Sequence, residues 1–323
     1  DELELSGTIS GSGSVRKVGS GTLFPSASNS FTGGLIFEEG VVRGESSAAL
    51  GFLAPLTFDG GTLNVASSFT TSRDVTFAST GTIDVDSGRT LTLTGTIDGS
   101  GGITKSGDGQ FTISGANTYT GGTTLESGTL TIGPSGSLST LSPLVINGGT
   151  VRFERLDTSL NKGIGSLSGS GGAILLDNSL SLLTITQSVD GTYNGVIEGT
   201  SAPGPLRKEG SGTLTFGGAY DSNARIEVFE GAFIVSPSAS LPRPLDLVVA
   251  PDGRFSLPEA FGDVEFRGIR GSSGTSRMTI GAGTTAVIDE GNWNGPIDGG
   301  GGIKKVDSGG SLNIFSSLSH TGP

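Results

Sequence analysis

Residues 105–133 read KSGDGQFTISGANTYTGGTTLESGTLTIG, with one Lys, one Asp and one Glu among glycines, threonines, serines and a few apolar residues. Within this stretch, residues 129–132 alternate polar and apolar side chains, and Gly121-Gly122 forms a glycine pair. Period-two alternation is typical of a strand with one buried face. Glycine pairs supply the positive φ that tight corners require. The stretch therefore predicts short strands joined by glycine corners.

The same alternation recurs along the chain. Apolar spacing of three and four residues, which indicates an amphipathic helix, is not sustained in the sequence. The further alternating segments are residues 82–86, 90–94, 151–154, 183–186 and 225–228. We therefore predict an all-β chain.

Composition limits the classes of protein to which the chain can belong. Glycine makes up 58 of 323 residues, about 18% against a usual 7%. Charged residues are only 15%, whereas disordered chains are usually rich in charge. The net charge of −12 argues against nucleic acid and anionic membrane as partners. Because no apolar run approaches the ~18 residues that span a bilayer, we expect no membrane insertion of this segment.

A long internal repeat narrows the choice among all-β folds. Similar phrases begin at Ile9, Ile97, Ile197 and Ile297, at separations of 88, 100 and 100 residues. The second phrase reads IDGSGGITKSGDGQFTI and the fourth reads IDGGGGIKKVDSGGSLNI, whereas the third contains a short insertion. Repetition at fixed periods is the signature of solenoids, in which each coil packs on the next.

The repeated text resembles the autotransporter-associated β-strand repeat of bacterial type V passenger proteins. The best copy is residues 97–132. Copy three departs from the family where residues 217–228 read GGAYDSNARIEV, and copy four has His320 where copy two has Tyr119. The matching positions in copies one and three are Lys17, Gly19, Gly21, Leu23, Asn29, Phe31, Gly33 and Gly34, and Lys208, Gly210, Gly212 and Leu214.

This resemblance implies a right-handed parallel β-helix that is exported and displayed at a bacterial cell surface or secreted. The family's signal peptide and C-terminal membrane barrel are not found in this sequence. We predict one β-solenoid domain over residues 1–323, with about 16 coils of roughly 20 residues. The sequence begins within a predicted strand and ends within a predicted turn. We therefore expect an excised segment of a longer chain, with head-to-tail stacking of copies as the alternative.

The sequence contains few candidates for catalytic or metal-binding residues. With His320 as the single histidine and no cysteine, neither a thiol–histidine dyad nor a usual zinc site is available. Asp98, Glu198 and Asp298 recur after the aligned isoleucines, but copies separated by about five coils lie roughly 24 Å apart. A glycosidase needs its two carboxylates about 5–10 Å apart. We therefore predict no catalytic residues and no metal.

A site from neighbouring coils stays open around Asp84 and Asp86. This IDVDSG segment lacks the full nonapeptide pattern of calcium-binding β-rolls. The glycine corners follow no strand-to-helix transition, so we do not expect phosphate binding. Thr90, Thr92 and Thr94 resemble a threonine ladder that orders ice, but their counterparts in copy one are Glu2, Glu4 and Ser6.

A basic series and a tryptophan invite a binding interpretation. The series comprises Lys17, Lys105, Lys208 and Lys305, doubled at Arg16, Arg207 and Lys304. These side chains either contact an anionic glycan or, as we favour, lie along the coil with their charged heads in water. Trp293 aligns with Tyr193 and Leu93, which favours a core position over sugar stacking.

We therefore expect a non-catalytic passenger segment that acts as a structural spacer or adhesin in attachment or aggregation. The alternative is a β-helix that binds or cleaves polysaccharide. The sequence predicts no cofactor and does not identify ligand-binding residues. Expected partners are cell-surface glycans or proteins, or other copies of the chain arranged head to tail or laterally. The expected location is extracellular or on a bacterial cell surface.

Overall fold

The computed structural model describes residues 1–154, 160–176, 180–199, 204–241, 244–306, 309–315 and 318–320. They divide into two compact units, residues 1–156 and 157–323. In each unit, short strands pair in parallel with strands about one coil away, which confirms the predicted all-β solenoid. One 3₁₀ turn, Ala48–Leu50, is the only helical element among the described residues. The prediction of a single domain over residues 1–323 stays a prediction.

The first unit contains twenty strands, whose order in the chain sets the numbering. They are β1 Glu2–Leu5, β2 Ser10–Gly11, β3 Val15–Lys17, β4 Thr22–Pro25, β5 Ser30–Phe31, β6 Leu35–Phe37, β7 Val41–Gly44, β8 Leu56–Phe58, β9 Thr62–Val65, β10 Phe69–Thr71, β11 Val75–Phe77, β12 Gly81–Val85, β13 Thr90–Leu93, β14 Ile97–Asp98, β15 Ile103–Ser106, β16 Gln110–Ile113, β17 Thr123–Leu125, β18 Thr129–Ile132, β19 Leu144–Ile146 and β20 Thr150–Phe153.

Three parallel sheets form the faces of this unit. Sheet 1 has the order β1-β4-β7-β9-β12-β15-β17-β19, sheet 2 the order β10-β13-β16-β18-β20, and sheet 3 the order β14-β11-β8-β6-β3. Strands β2 and β5 form a separate pair. Each successive strand along the chain moves to another face, so hydrogen bonds join coils rather than neighbouring segments.

The second unit also contains twenty strands. They are β21 Leu160–Ile164, β22 Leu167–Ser168, β23 Ala173–Leu176, β24 Leu180–Thr186, β25 Gly191–Tyr193, β26 Val196–Gly199, β27 Leu206–Glu209, β28 Thr213–Phe216, β29 Tyr220–Asp221, β30 Ile226–Val228, β31 Gly231–Val235, β32 Leu245–Val249, β33 Gly253–Leu257, β34 Gly262–Gly271, β35 Arg277–Ile280, β36 Thr284–Trp293, β37 Ile297–Gly299, β38 Gly302–Lys305, β39 Leu312–Ile314 and β40 Leu318–His320.

Two long sheets dominate the second unit. Sheet 4 has the order β21-β24-β27-β30-β32-β34-β36-β38, with β39 also paired to β36. Sheet 5 has the order β25-β28-β31-β33-β35-β37-β40. Strands β34 and β36 each extend over ten residues and pair with one another along most of that length.

The number of coils is slightly lower than the sequence predicts. The stack has about 14 turns rather than about 16. The step along the chain between paired residues is not constant: it is short from Thr22 to its partner Val41, and longer from Leu183 to its partner Leu206. A uniform coil length taken from the repeat underestimates the longer coils, because their corners carry additional residues.

The core lies between the sheets and consists of inward columns of like residues. In sheet 3 the rings of Phe37, Phe58 and Phe77 stack, with centroid separations of 4.3 and 4.6 Å and nearly parallel planes. In sheet 2, Leu91 and Phe111 occupy paired inward positions, and both are fully buried. Each coil contributes few apolar side chains, but columns across coils give each one apolar neighbours above and below.

The repeated phrase is not tied to one face of the solenoid. Lys17 ends β3 in sheet 3, whereas Lys105 lies in β15 of sheet 1. The interval between these two lysines is therefore not a whole number of coils. The phrase therefore specifies a strand followed by a corner, and this unit occurs in sheet 3 as well as in sheet 1.

All three tyrosines of the chain are buried and hydrogen-bonded. The hydroxyl of Tyr119 bonds to Thr123, and that of Tyr220 donates to the Ala224 carbonyl at 2.9 Å. Burial raises the pKa of Tyr119 to about 12 and raises the pKa of Tyr193 and Tyr220 well above its usual value.

We expect no tyrosine to ionise in the folded protein between pH 10 and pH 11. A raised pKa in the folded state contributes stability below pH ~10, and this contribution is lost as the pH rises through the folded-state pKa. Tyrosinate absorbance should therefore rise in the same step as the loss of far-ultraviolet circular dichroism. In urea, the control sample should titrate near pH 10. Ionisation near pH 10 with the dichroism intact would contradict the burial of these rings.

Candidate functional site

The lysine of the best repeat copy is a structural residue. Lys105 lies at an inward position of β15, between Ile83 and Leu125 of the adjacent coils, and is fully buried. Its ammonium donates to the carbonyls of Ser106 at 2.5 Å, Gly107 at 2.7 Å and Ser127 at 3.3 Å. Three acceptors match the three protons of an ammonium group. The charge is therefore satisfied within the corner of the coil.

Lys17 and Lys208 repeat this arrangement and are 7% and 1% exposed. Each donates to three carbonyls: Lys17 to Val18, Gly19 and Glu39, and Lys208 to Glu209, Gly210 and Glu230. A glycine of the next coil approaches the ammonium nitrogen of each lysine, and it has positive φ in all three copies. These glycines are Gly40, Gly128 and Gly231. We call each lysine with its glycine a lysine clasp.

The clasps correct our interpretation of the basic series. We expected charged heads in water, but three of the four heads are bound by carbonyls inside the corners. Burial lowers the pKa of Lys105 and Lys208 to about 8, opposed by the attraction of nearby carboxylates. Both ammonium groups therefore keep their charge at pH 7. None of these three lysines is available to bind an anionic glycan.

The remaining members of the series have surface roles. Lys305 is exposed and bonds to the Val306 carbonyl. Lys304 is also exposed. Arg16 pairs with Glu38, and Arg207 pairs with Glu227 at 2.8 Å. Copy four has Asp307 at the position of Gly107, so it lacks the glycine that starts a clasp corner; residues 307–308 lie outside the described residues.

The carboxylates near the middle of the first unit form a closed polar cluster. The amide nitrogen of Asn64 donates to Asp84 at 3.0 Å and to Asp86 at 2.8 Å. Ser106 donates to the other oxygen of Asp84 at 3.0 Å. An amide lies between the two carboxylates, where a substrate and its water would have to lie. The geometry is that of a surface hydrogen-bond ladder.

The three carboxylates that recur after the aligned isoleucines lie in different strands. Asp98 lies in β14 of the first unit, whereas Glu198 and Asp298 lie in β26 and β37 of the second unit. Asp298 accepts from Arg277 at 3.0 Å. Within the second unit, Glu198 and Asp298 lie in strands that do not pair with one another.

Trp293 occupies the core, as the alignment with Tyr193 and Leu93 predicts. All three side chains are at most 1% exposed. The indole nitrogen of Trp293 donates to the Gly295 carbonyl at 2.9 Å. The side chain of His320 lies outside the described residues.

The threonines of β13 do not continue as a ladder into copy one. Thr92 pairs with Thr70 and Thr112 in sheet 2. Glu2 and Glu4 align by sequence with Thr90 and Thr92, but they lie in β1 of sheet 1. The two segments therefore occupy different faces of the solenoid. The glutamates do not interrupt a ladder on the face of β13, so the sequence alignment does not test whether that ladder continues.

A groove on the outer face of sheet 4 is the best candidate site, and the sequence did not indicate it. It has a volume of about 310 Å³. Its central lining residues are Asp246, Gly268, Arg270, Glu290 and Asn292. They come from three consecutive coils, β32, β34 and β36, in paired positions. These residues lie in the stretch between the third and fourth phrases, where the repeat offers no guidance.

Neither a metal site nor a membrane-spanning helix is found in the described part of the chain. No group of three or more His, Asp or Glu side chains converges on a metal position there. No helix in that part has the length and apolarity needed to cross a membrane.

Three segments of the chain match the model of a known repeat family, and each contains a clasp lysine. The model of the passenger-associated-transport-repeat matches residues 15–43, 103–132 and 206–222. Three segments of the chain therefore carry this repeat. It is also 34% identical over 168 residues, 52% of its length, to the Adhesin BmaC autotransporter of Brucella suis biovar 1 (strain 1330). The match spans 5% of that relative. No solved structure matches the chain.

The passenger repeats coincide with the lysine clasps. The first match contains Lys17 and Gly40, and the second contains Lys105 and Gly128. The third contains Lys208 and ends before Gly231. In this chain the repeat therefore builds a corner in which a buried ammonium joins the carbonyls of two coils.

Proposed function

We propose that this chain is a non-catalytic segment of an adhesin-type passenger, acting outside the cell or on a bacterial cell surface. The coil stack serves as a spacer and presents contact surfaces for attachment or aggregation. The 34% identity to an autotransporter adhesin over 168 residues supports this proposal. Its partners would be cell-surface glycans or proteins, or other copies of the chain.

One structural observation carries the proposal. Outward polar side chains are held by partners on the next coil rather than converging on one point. Examples are Asn64 with Asp84, and Asn313 with Asn292 at 2.8 Å. Such ladders fix side chains in a regular display over a face, which suits recognition of an extended surface.

Beads coated with the 323-residue chain test this function. We expect them to attach to target cells or to aggregate with one another, because the faces of the folded coils supply the contacts. Beads coated with urea-unfolded chain serve as the matched control. Attachment no greater than that of the control, together with no aggregation, would refute the proposal.

Polysaccharide cleavage is the second candidate, and the sheet 4 groove favours it. Asp246 and Glu290 pair on either side of Gly268, so their backbones lie two strand spacings apart, roughly 10 Å. Inverting glycosidases place their carboxylates about 6.5–9.5 Å apart. However, Asp246 is paired with Arg267 at 3.1 Å. A reducing-end assay distinguishes the candidates: turnover by the wild type that Glu290→Gln abolishes would establish the enzyme.

A further inference from the structure

The sheet 4 groove coincides with a β-bulge. Between β32 and β34, Leu245 pairs with Phe266 but Asp246 pairs with Gly268, so Arg267 is an extra residue. A bulge re-aims side chains and is often found next to binding sites. Here it directs the guanidinium of Arg267 to Asp246 at 3.1 Å and places a glycine at the adjacent outward position.

Gly268 leaves an open slot in a column of outward side chains. Asp246 lies on one side of it and Glu290 on the other, each on a neighbouring coil. A Cβ at this glycine would meet only the Asp246 carboxylate oxygen within 4 Å, at 3.3 Å. The backbone φ lies outside the left-handed region. Gly268 is thus not required by the fold, and its absent side chain creates the floor of the groove.

The side chains beside the slot offer both donors and acceptors. Arg270 and Glu290 are exposed, and neither side chain has a hydrogen-bond or ion-pair partner among the described residues. Asn292, next to Arg270 on the following coil, is held by Asn313. Val248, paired with Arg270 on the preceding coil, adds a half-buried apolar surface. Hydroxyl groups can donate to the carboxylates and accept from the arginine and the amide.

The charges of the groove are balanced, although the whole chain carries −12. The charged residues that line it are Arg225 and Arg270 against Asp246 and Glu290. Asp246 is paired with Arg267, and Arg225 is paired at 2.5 Å with Glu227, which it shares with Arg207. Arg270 and Glu290 then contribute opposite charges. An anionic ligand would be repelled by Glu290 as strongly as it is attracted by Arg270, whereas a neutral polyol satisfies donors and acceptors alike.

We propose that this groove binds a neutral hexopyranose unit of a glycan, seated over Gly268 between Asp246 and Glu290. The volume of about 310 Å³ lies at the lower end of ligand pockets, roughly 300–1,000 Å³, and fits a short saccharide. Arg270 and Asn292 donate to ring and hydroxyl oxygens, and Glu290 accepts from hydroxyls. Val248 contacts the apolar face of the sugar. The inference rests on the proposed adhesive function and names the ligand class of one of its surfaces.

The test fills the slot with a side chain, to which the Asp246 carboxylate, 3.3 Å from a built Cβ, must yield slightly. Unchanged circular dichroism establishes that the variant folds. Wild-type chain is applied to an array of neutral and acidic glycans, and dissociation constants are measured for the best neutral oligosaccharide. Gly268→Val should weaken that binding at least tenfold. Gly274→Val is the matched control: Gly274 is exposed, has no atom within 4 Å of a built Cβ and lies outside the groove. Its dissociation constant should stay within twofold of the wild type.

Three outcomes overturn the inference: no neutral glycan bound by the wild type, binding of acidic glycans alone, or equal binding by wild type and Gly268→Val. Arg270→Gln should also weaken binding, with little dependence on salt because the ligand is uncharged. Bead attachment is measured in parallel with the same variants. If wild-type beads attach but Gly268→Val leaves the glycan affinity unchanged, the groove assignment fails while the adhesive function stands. If wild-type beads neither attach nor aggregate, the adhesive function itself fails.

Discussion

Leu93→Asp should destabilise the first unit by roughly 4 kcal/mol or more, whereas Thr92→Asp should cost about 0.5 kcal/mol or less. Leu93 is 1% exposed and pairs with Thr71 and Ile113 of the adjacent coils. A carboxylate there loses its water and finds no partner. Thr92 is half-buried on the opposite side of the same strand, where a carboxylate keeps contact with solvent.

The measurement is urea unfolding of both variants beside wild type, followed by circular dichroism. The loss in Leu93→Asp should diminish as the pH falls toward 4, because burial raises the pKa of the introduced acid in the folded state. The unfolded chain then ionises first as the pH rises, which destabilises the fold at neutral pH. A larger loss in Thr92→Asp than in Leu93→Asp would mean that the strand faces are exchanged, since a shift of one residue reverses every side chain. Equal losses would contradict the difference in burial between the two positions.

The inward and outward positions of the strands could be predicted from the sequence. In β13 the alternation of threonine and leucine corresponds residue by residue to the observed burial. Trp293 could be placed in the core because leucine and tyrosine occupy the aligned positions. These inferences succeed because each depends on period-two geometry or on comparison of the repeated phrases, and both can be seen in the linear sequence.

The burial of the lysine ammonium groups could not be predicted with the same reasoning. A single lysine beside glycines indicates only a long side chain near a corner, and its head is ordinarily in water. The signal was present as the pattern Lys-x-Gly-x-Gly, followed by another glycine about one coil further along the chain. Lys105, Gly107, Gly109 and Gly128 show it. Its meaning depends on two coils meeting, which a one-dimensional pattern does not display.

The sheet 4 groove was missed for a different reason. It arises from a bulge at Arg267 and from a glycine that is open rather than crowded. Glycine is so frequent in this chain that one at an outward strand position carries no signal. The pairing of Asp246 with Gly268, and of Gly268 with Glu290, also depends on the length of each coil, which varies along the chain and is not marked in the sequence.

Gly128→Ala should destabilise the first unit by about 3 kcal/mol or more, whereas Gly88→Ala should cost about 1 kcal/mol. The two glycines have nearly the same backbone conformation, with φ of +72° and +71°. A methyl group at either position therefore carries the same left-handed strain. Their surroundings differ: nothing lies within 4 Å of a Cβ at Gly88, whereas a Cβ at Gly128 would lie 2.4 Å from the carbonyl oxygens of both Gly107 and Gly109.

The difference between the two variants isolates the close approach within a lysine clasp. The same Cβ at Gly128 would lie 2.9 Å from the Lys105 ammonium nitrogen, so the corner must open to admit it. Opening separates the ammonium from the Ser127 carbonyl and leaves a buried charge with fewer acceptors, which costs more than strain alone. Urea unfolding of both variants measures the difference, and unchanged circular dichroism in buffer establishes that each variant folds. Losses of the same size at the two positions would show that the clasp is loose and that Gly128 serves only the turn.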